Sequence, residues 1–188
     1  MNIRNIRIRR SAKFLILLLS SLIVGAANAA VFYSLTMQPG VSITSTKVFF
    51  VAGNDFQSPS SVGSNSTWAY LALKAYPNVT LTYEQPLNIS NTDTVSHNFR
   101  LRHITITPVN GSAQVGNFTF INFVVQNEAG VAQGSFNYTT TGNNWITPST
   151  TSYMTLPPST AWIIYVETRA APQANDITAD IQIAVDVV

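Results

Sequence analysis

The sequence predicts an all-β protein: a single antiparallel β-sandwich of jelly-roll type. Three observations predict it. Apolar and polar residues alternate along most of the chain, and a helical period is hard to find. The alternating runs are rich in Val, Ile, Thr, Phe and Tyr, which suit a pleated, half-buried surface. Between them stand pairs with turn chemistry, among them Ser58-Pro59, Pro77-Asn78, Asn110-Gly111, Ala129-Gly130, Gly142-Asn143 and Pro157-Pro158.

Taken in order, the first alternating segment places Val31, Tyr33, Leu35 and Met37 on one face and Ser34, Thr36 and Gln38 on the other, and Pro39-Gly40 stops it. Further strands are expected near 41–51, 79–83, 87–90, 97–106, 117–126, 132–138, 152–156 and 161–168. Residues 66–76 fit a short helix or an extended segment equally. The closing strand is the clearest: Ile177, Ala179, Ile181, Ile183, Val185 and Val187 face one way and Thr178, Asp180, Gln182 and Asp186 the other. No linker, tandem repeat or charge block divides the chain after its leader.

The leader is Arg4, Arg7, Arg9, Arg10 and Lys13, with no acid, followed by an uncharged aliphatic run over 14–26 and by Ala27-Asn28-Ala29. A basic region, a short apolar region and a small-x-small site make a secretory signal, with cleavage expected between Ala29 and Ala30. This gives residues 1–29 as signal peptide, 30–38 as an N-terminal donor-type strand and 39–188 as the sandwich. Two rivals are weaker. The uncharged stretch reaches Gln38 and is long enough for a retained anchor, but it alternates like a strand from Phe32 onward. Arg9-Arg10 suits twin-arginine export, but Lys13 interrupts the apolar residues expected after it.

Removing the leader reverses the charge. The 188-residue chain carries 10 basic and 8 acidic residues. Beyond Ala29, five basic residues face all eight acids, for a net charge of −3 over 159 residues. The basic balance that would neutralise nucleic-acid phosphates is gone, so nucleic acid is excluded as a partner, and the membrane is met only transiently through the signal. There is no cysteine, so an exported domain of this kind takes its stability from its core, from polymerisation or from both.

The residues carry little catalytic pattern. His97 and His103 would share one strand face about 20 Å apart, too far for one metal ion, and no cysteine completes a metal set. A serine-type triad would need one of them with an acid such as Asp93, but no G-x-S-x-G turn is present. Eight scattered acids give no local glycosidase signature. Arg100 and Arg102 alternate with Phe99 and Leu101 and are expected on a solvated face. No enzyme activity, metal or cofactor is expected. Trp145, beside a Gly-Asn-Asn turn, is the best candidate for an exposed sugar platform, whereas Trp162 opens an apolar strand and reads as core.

Six N-x-[ST] sites occur, at Asn65, Asn78, Asn88, Asn110, Asn117 and Asn137. At four of them the middle residue, Val79, Ile89, Phe118 or Tyr138, would point inward on a strand, leaving Asn and Thr or Ser outside. Glycan acceptors on an outer face fit this, and an Asn/Thr-rich amphipathic strand fits it equally.

A signal ending just before a short apolar strand and a cysteine-free, Thr/Asn-rich β-domain form a recognisable combination. So do the segment Leu87-Asn-Ile-Ser-Asn-Thr-Asp-Thr-Val-Ser-His-Asn-Phe-Arg-Leu-Arg, the run Asn117-Phe-Thr-Phe-Ile-Asn-Phe-Val-Val-Gln-Asn and the closing Ile181-Gln-Ile-Ala-Val-Asp-Val-Val. Together they resemble the archaeal bundling pilins, distant relatives of the TasA/camelysin biofilm fibre proteins, in style and order of elements. The resemblance implies an exported jelly roll that polymerises head to tail with copies of itself by donor-strand complementation. Its filaments would bundle with their neighbours and contribute to cell–cell adhesion or biofilm matrix. By position the donor strand would be Val31, Tyr33, Leu35 and Met37. The metal sites of some relatives have no counterpart here. The alternative is a monomeric, secreted or surface-attached carbohydrate-binding sandwich. Alternation alone leaves open whether the first strand pairs within its own domain or in the next.

Overall fold

The computed structural model describes residues 46–175 and 177–188. Val31, Tyr33, Leu35, Met37 and the cleavage pair Ala29-Ala30 lie outside the described residues. The described residues form eleven strands: β1 Val48–Ala52, β2 Ser61–Val62, β3 Trp68–Ala75, β4 Thr80–Asn91, β5 His97–Thr107, β6 Phe118–Gln126, β7 Ala132–Thr141, β8 Asn144–Ile146, β9 Met154–Leu156, β10 Ala161–Ala170 and β11 Ile177–Val187. One 3₁₀ turn, Val115–Asn117, precedes β6.

The strands make a six-stranded sheet, ordered β1-β4-β10-β6-β7-β8, and a five-stranded sheet, ordered β2-β3-β11-β5-β9. All pairs of named strands are antiparallel. The chain passes from sheet to sheet at β3–β4, β4–β5 and β5–β6, and again through β9, β10 and β11. The eight strands β3–β7 and β9–β11 are thereby wound as a jelly roll.

Alternation builds the core. In β3, β10 and β11 every second side chain is buried, with Leu71, Leu73, Ile164, Val166, Ile181 and Ile183 at most 1% exposed. Residues 66–76 therefore resolve as strand, because Trp68, Tyr70 and Ala72 turn outward between buried Ala69, Leu71 and Leu73. The strands expected at 79–83 and 87–90 are one strand. Opposite it, β10 pairs Val166 with Tyr83 and Ile164 with Leu87, so Glu84, Gln85 and Pro86 bulge against a single residue. A bulge is where a proline can sit inside a sheet, and this one accommodates Pro86. The strand expected over 41–51 is described only from Val48, and the two short strands β2 and β8 were not expected.

One end of the core is aromatic. Trp145, expected to be exposed, is 5% exposed. Its ring lies 5.1 Å from that of Phe118 and 6.3 Å from that of Tyr138, and its Nε1–H donates to the Pro108 carbonyl at 2.9 Å. The turn that promised exposure instead delivers the indole inward from the three-residue β8. Tyr138 also packs edge-on against Phe136, 5.5 Å between centroids. Such pairs add about 0.5–1.5 kcal/mol each beyond area burial.

A buried polar residue ties the crossovers. Asn91, 1% exposed, donates through Nδ2 to the Val95, Leu156 and Pro157 carbonyls and accepts the Asp93 amide through Oδ1. It joins the β4–β5 connection to the β9–β10 connection. Trp145→Ala is expected to cost on the order of 3–5 kcal/mol, read as a lowered urea midpoint with an unchanged slope; a midpoint within error of the parent would contradict the burial described.

Candidate assembly interface

Each sheet has two edge strands, and the two sheets come together along two flanks. On one flank the Phe50 amide donates to the Ser66 carbonyl of the β2–β3 turn at 2.7 Å, so β1 and β2 lie together. On the other, Met154 of β9 rests its sulfur against Gly134 of β7, where a Cβ would come within 2.7 Å of it. Exposed edges present unpaired backbone groups to any extended chain.

The β1 edge is short and apolar, Val-Phe-Phe-Val-Ala, with neither charge nor proline. Val48 and Phe50 are buried while Val51 is 39% exposed. Its first strand neighbour is β4, and the Ser66 carbonyl is the described backbone partner on its outer side.

The β5 edge is longer. Phe99, Leu101 and Ile106 are buried, and His103 also turns inward, so the inward set changes phase between residues 103 and 106. The structure resolves this with a bulge: β11 pairs Gln182 with Thr105 and Ile183 with His103, leaving Ile104 as the extra residue. Inward rotation brings His103 Nδ1 to 2.8 Å from the Tyr138 hydroxyl, across the two sheets. Burial pushes the Tyr138 phenol up and the His103 imidazole down. Both shifts favour a neutral pair. On its outer side β5 pairs with β9 at His97–Phe99 alone, and Thr151 then closes Leu101 through two bonds of 2.9 and 3.0 Å. Beyond Leu101 no described backbone group pairs with that edge.

The sites singled out in the sequence are dispersed. Asn65 and Asn110 are exposed in turns, and Asn78 is exposed at the β3–β4 turn with a positive φ of 59°. Asn137 is exposed and Asn88 half-buried on the outer face of the six-stranded sheet, and Asn117 is half-buried before β6. The Asn65 and Asn110 Oδ1 atoms accept the Thr67 and Trp145 amides, which leaves Nδ2, the atom a glycan would take, turned elsewhere. Ile89, Phe118 and Tyr138 point inward as expected, but Val79 is 55% exposed, because it belongs to the turn and not to a strand.

His97 and Asp93 do meet, Nε2 to Oδ2 at 3.0 Å. The bond from His97, joined by the Thr94 amide, holds the Asp93 carboxyl below its usual range. The nearby Ser159 hydroxyl bonds the Asp93 carbonyl and not the imidazole. Arg100 and Arg102 lie on the outer face, as expected, flanking Asp186: Arg102 reaches it at 3.2 Å and Arg100 at 3.5 Å. The Arg100 guanidinium also lies 5.0 Å over the Tyr153 ring. Exposed pairs of this kind contribute roughly 0–1 kcal/mol. Among the described residues no three His, Asp or Glu side chains converge as metal ligands, and no helix is long and apolar enough to cross a membrane.

Sequence reasoning missed the open β5 edge and the His103–Tyr138 bond. The signal was present: the apolar phase set by Phe99 and Leu101 is replaced by that of Ile104 and Ile106. No family model matches the chain, and no curated protein matches it.

The shifts at His103 and Asp93 give separate acid sensitivities. His103 holds its proton less readily when folded than at its ordinary 6.5. Below that pH the unfolded chain binds more protons, and stability falls as pH falls. Asp93 contributes stability above 3.8 that is lost as pH drops further, through its lowered folded value. Urea unfolding of His103→Gln should lose the dependence just below pH 6.5 and keep the one below pH 3.8; an unchanged profile would reject the His103 assignment.

Proposed function

We propose that the protein is a structural subunit of an extracellular filament, polymerising head to tail with residues 30–38 as a donor strand. In this role it contributes to cell–cell adhesion or biofilm matrix. The observation that carries the reading is that all eight jelly-roll strands come from residues 68–187. The alternating segment Val31, Tyr33, Leu35, Met37 has no jelly-roll position left to supply. A strand of this kind gains roughly 1.5–3 kcal/mol per well-buried large side chain before entropy costs, and each main-chain bond adds about 1 kcal/mol net. Strand addition is an established binding mode, and a head-to-tail contact that does not close yields an open filament. In this reading the leader ends at Ala29 and directs export, and the sequons serve as acceptor sites on exposed turns and outer faces.

A carbohydrate-binding role would rest on other residues than Trp145. Trp68 and Tyr70 are successive outward residues of β3, opposite Ala184 and Gln182 of β11. Two aromatic side chains on one outer face favour this second reading, and a polysaccharide affinity lost in Trp68→Ala, with no polymer by light scattering, would select it.

Electron microscopy separates the two. Protein beginning at Ala30 should form fibres, and protein lacking residues 30–38 should remain monomeric with an unchanged β-type circular dichroism spectrum. Undiminished assembly after the deletion would overturn the filament reading.

A further inference from the structure

The β5 edge from residue 103 to residue 107 combines three properties. First, its backbone is unpaired toward the outer side among the described residues. The Leu101 amide and carbonyl both face that side, bonded to Thr151. By strand alternation His103 faces it too, and beyond the one-residue bulge so does Ile106. Second, large apolar side chains stand exposed at it: Ile104 at 40% and Val109 at 71%. Third, the edge borders a cleft of about 230 Å³ lined by His103, Ile104, Thr105, Ile106, Val109 and Thr147, among others. An apolar cavity of about 150 Å³ holds a benzene ring, so this cleft takes one large side chain with room to spare. No lining residue bears a formal charge with His103 neutral.

We infer that this edge is the acceptor site for residues 31–37 of a second copy, which add to β5 as a further strand and seat an apolar side chain in the cleft. The inference rests on the filament reading and assigns the surface it uses. Two features select this occupant. The segment Val31-Phe-Tyr-Ser-Leu-Thr-Met has no charge and alternates large apolar side chains, which matches an uncharged cleft beside unpaired backbone. The described chain also begins at residue 46, next to β1 on the flank shared with β2, whereas β5 opens beside β9 on the opposite flank. The described chain thus starts on a different flank from the open β5 edge, an arrangement compatible with an open head-to-tail contact.

The absence of cysteine makes the test direct. Val109→Cys and, separately, Val51→Cys on β1 are each mixed with Leu35→Cys, exported from the full chain and oxidised during assembly; single variants alone are controls. Disulfides form only when Cα atoms lie within about 7 Å. The expected result is filaments containing a Leu35–Val109 linked heterodimer, at least tenfold more abundant than the Leu35–Val51 product. Repeating with Val31, Tyr33 and Met37 as donors fixes the register. Val109→Lys should cut assembly at least tenfold while leaving the monomer's urea midpoint unchanged. Filaments linked only through Val51, or unaffected by Val109→Lys, overturn the acceptor assignment and leave the filament reading standing. A Leu35→Cys/Val109→Cys chain that closes on itself as a monomer at high dilution overturns it as well, because the edge is then filled in cis. A soluble monomer with no filaments and no intermolecular link overturns the filament reading itself.

Discussion

The hydroxyl of Tyr138 sets a condition that much of one flank obeys. Its ring is fully buried among Phe123, Phe136 and Trp145, where a lone hydroxyl without a partner would cost about 1–3 kcal/mol. His103, from the facing sheet, is the partner. To supply it, β5 must turn residue 103 inward and still bury Ile106, two requirements that a regular strand cannot meet together. The bulge at Ile104 reconciles them. The bulge lies in the part of β5 beyond its pairing with β9, which ends at Phe99.

Two sheets that share no ladder are held together by packing and by the connections between them. Asn91 is the polar counterpart of the aromatic cluster in this respect. One amide bonds the carbonyls of a neighbouring crossover while its own oxygen caps the turn that follows. With no disulfide available, this arrangement ties the start of β5 to the end of β9.

The fold was legible because alternation is a local property. Ile177 to Val187 or Ala161 to Ala170 announce a half-buried strand with no knowledge of neighbours. What failed was non-local. The strands expected at 79–83 and 87–90 are one strand that a bulge carries through, and Trp145 beside a turn looked exposed until the short β8 swung it beneath Phe118. Val79 was assigned to a strand that begins one residue later. The inward rotation of His103 depends on a tyrosine 35 residues away, which no window of the sequence contains. The edge left open by that rotation was invisible for the same reason, although the phase change between Leu101 and Ile104 marks the spot.

The position of β11 carries a consequence for how the molecule comes into being. It lies between β3 and β5, in the middle of the five-stranded sheet, yet it is the last strand along the chain. A polypeptide delivered from its N-terminus can collapse early but cannot assemble that sheet until residues 177–187 arrive. Six of the nine strand pairings described here join strands that are not consecutive in the chain, and such topologies fold slowly, in milliseconds to seconds. A chain that must wait for residues 177–187 before this sheet can close stays extensible until they arrive, and becomes rigid only when β11 seats between β3 and β5.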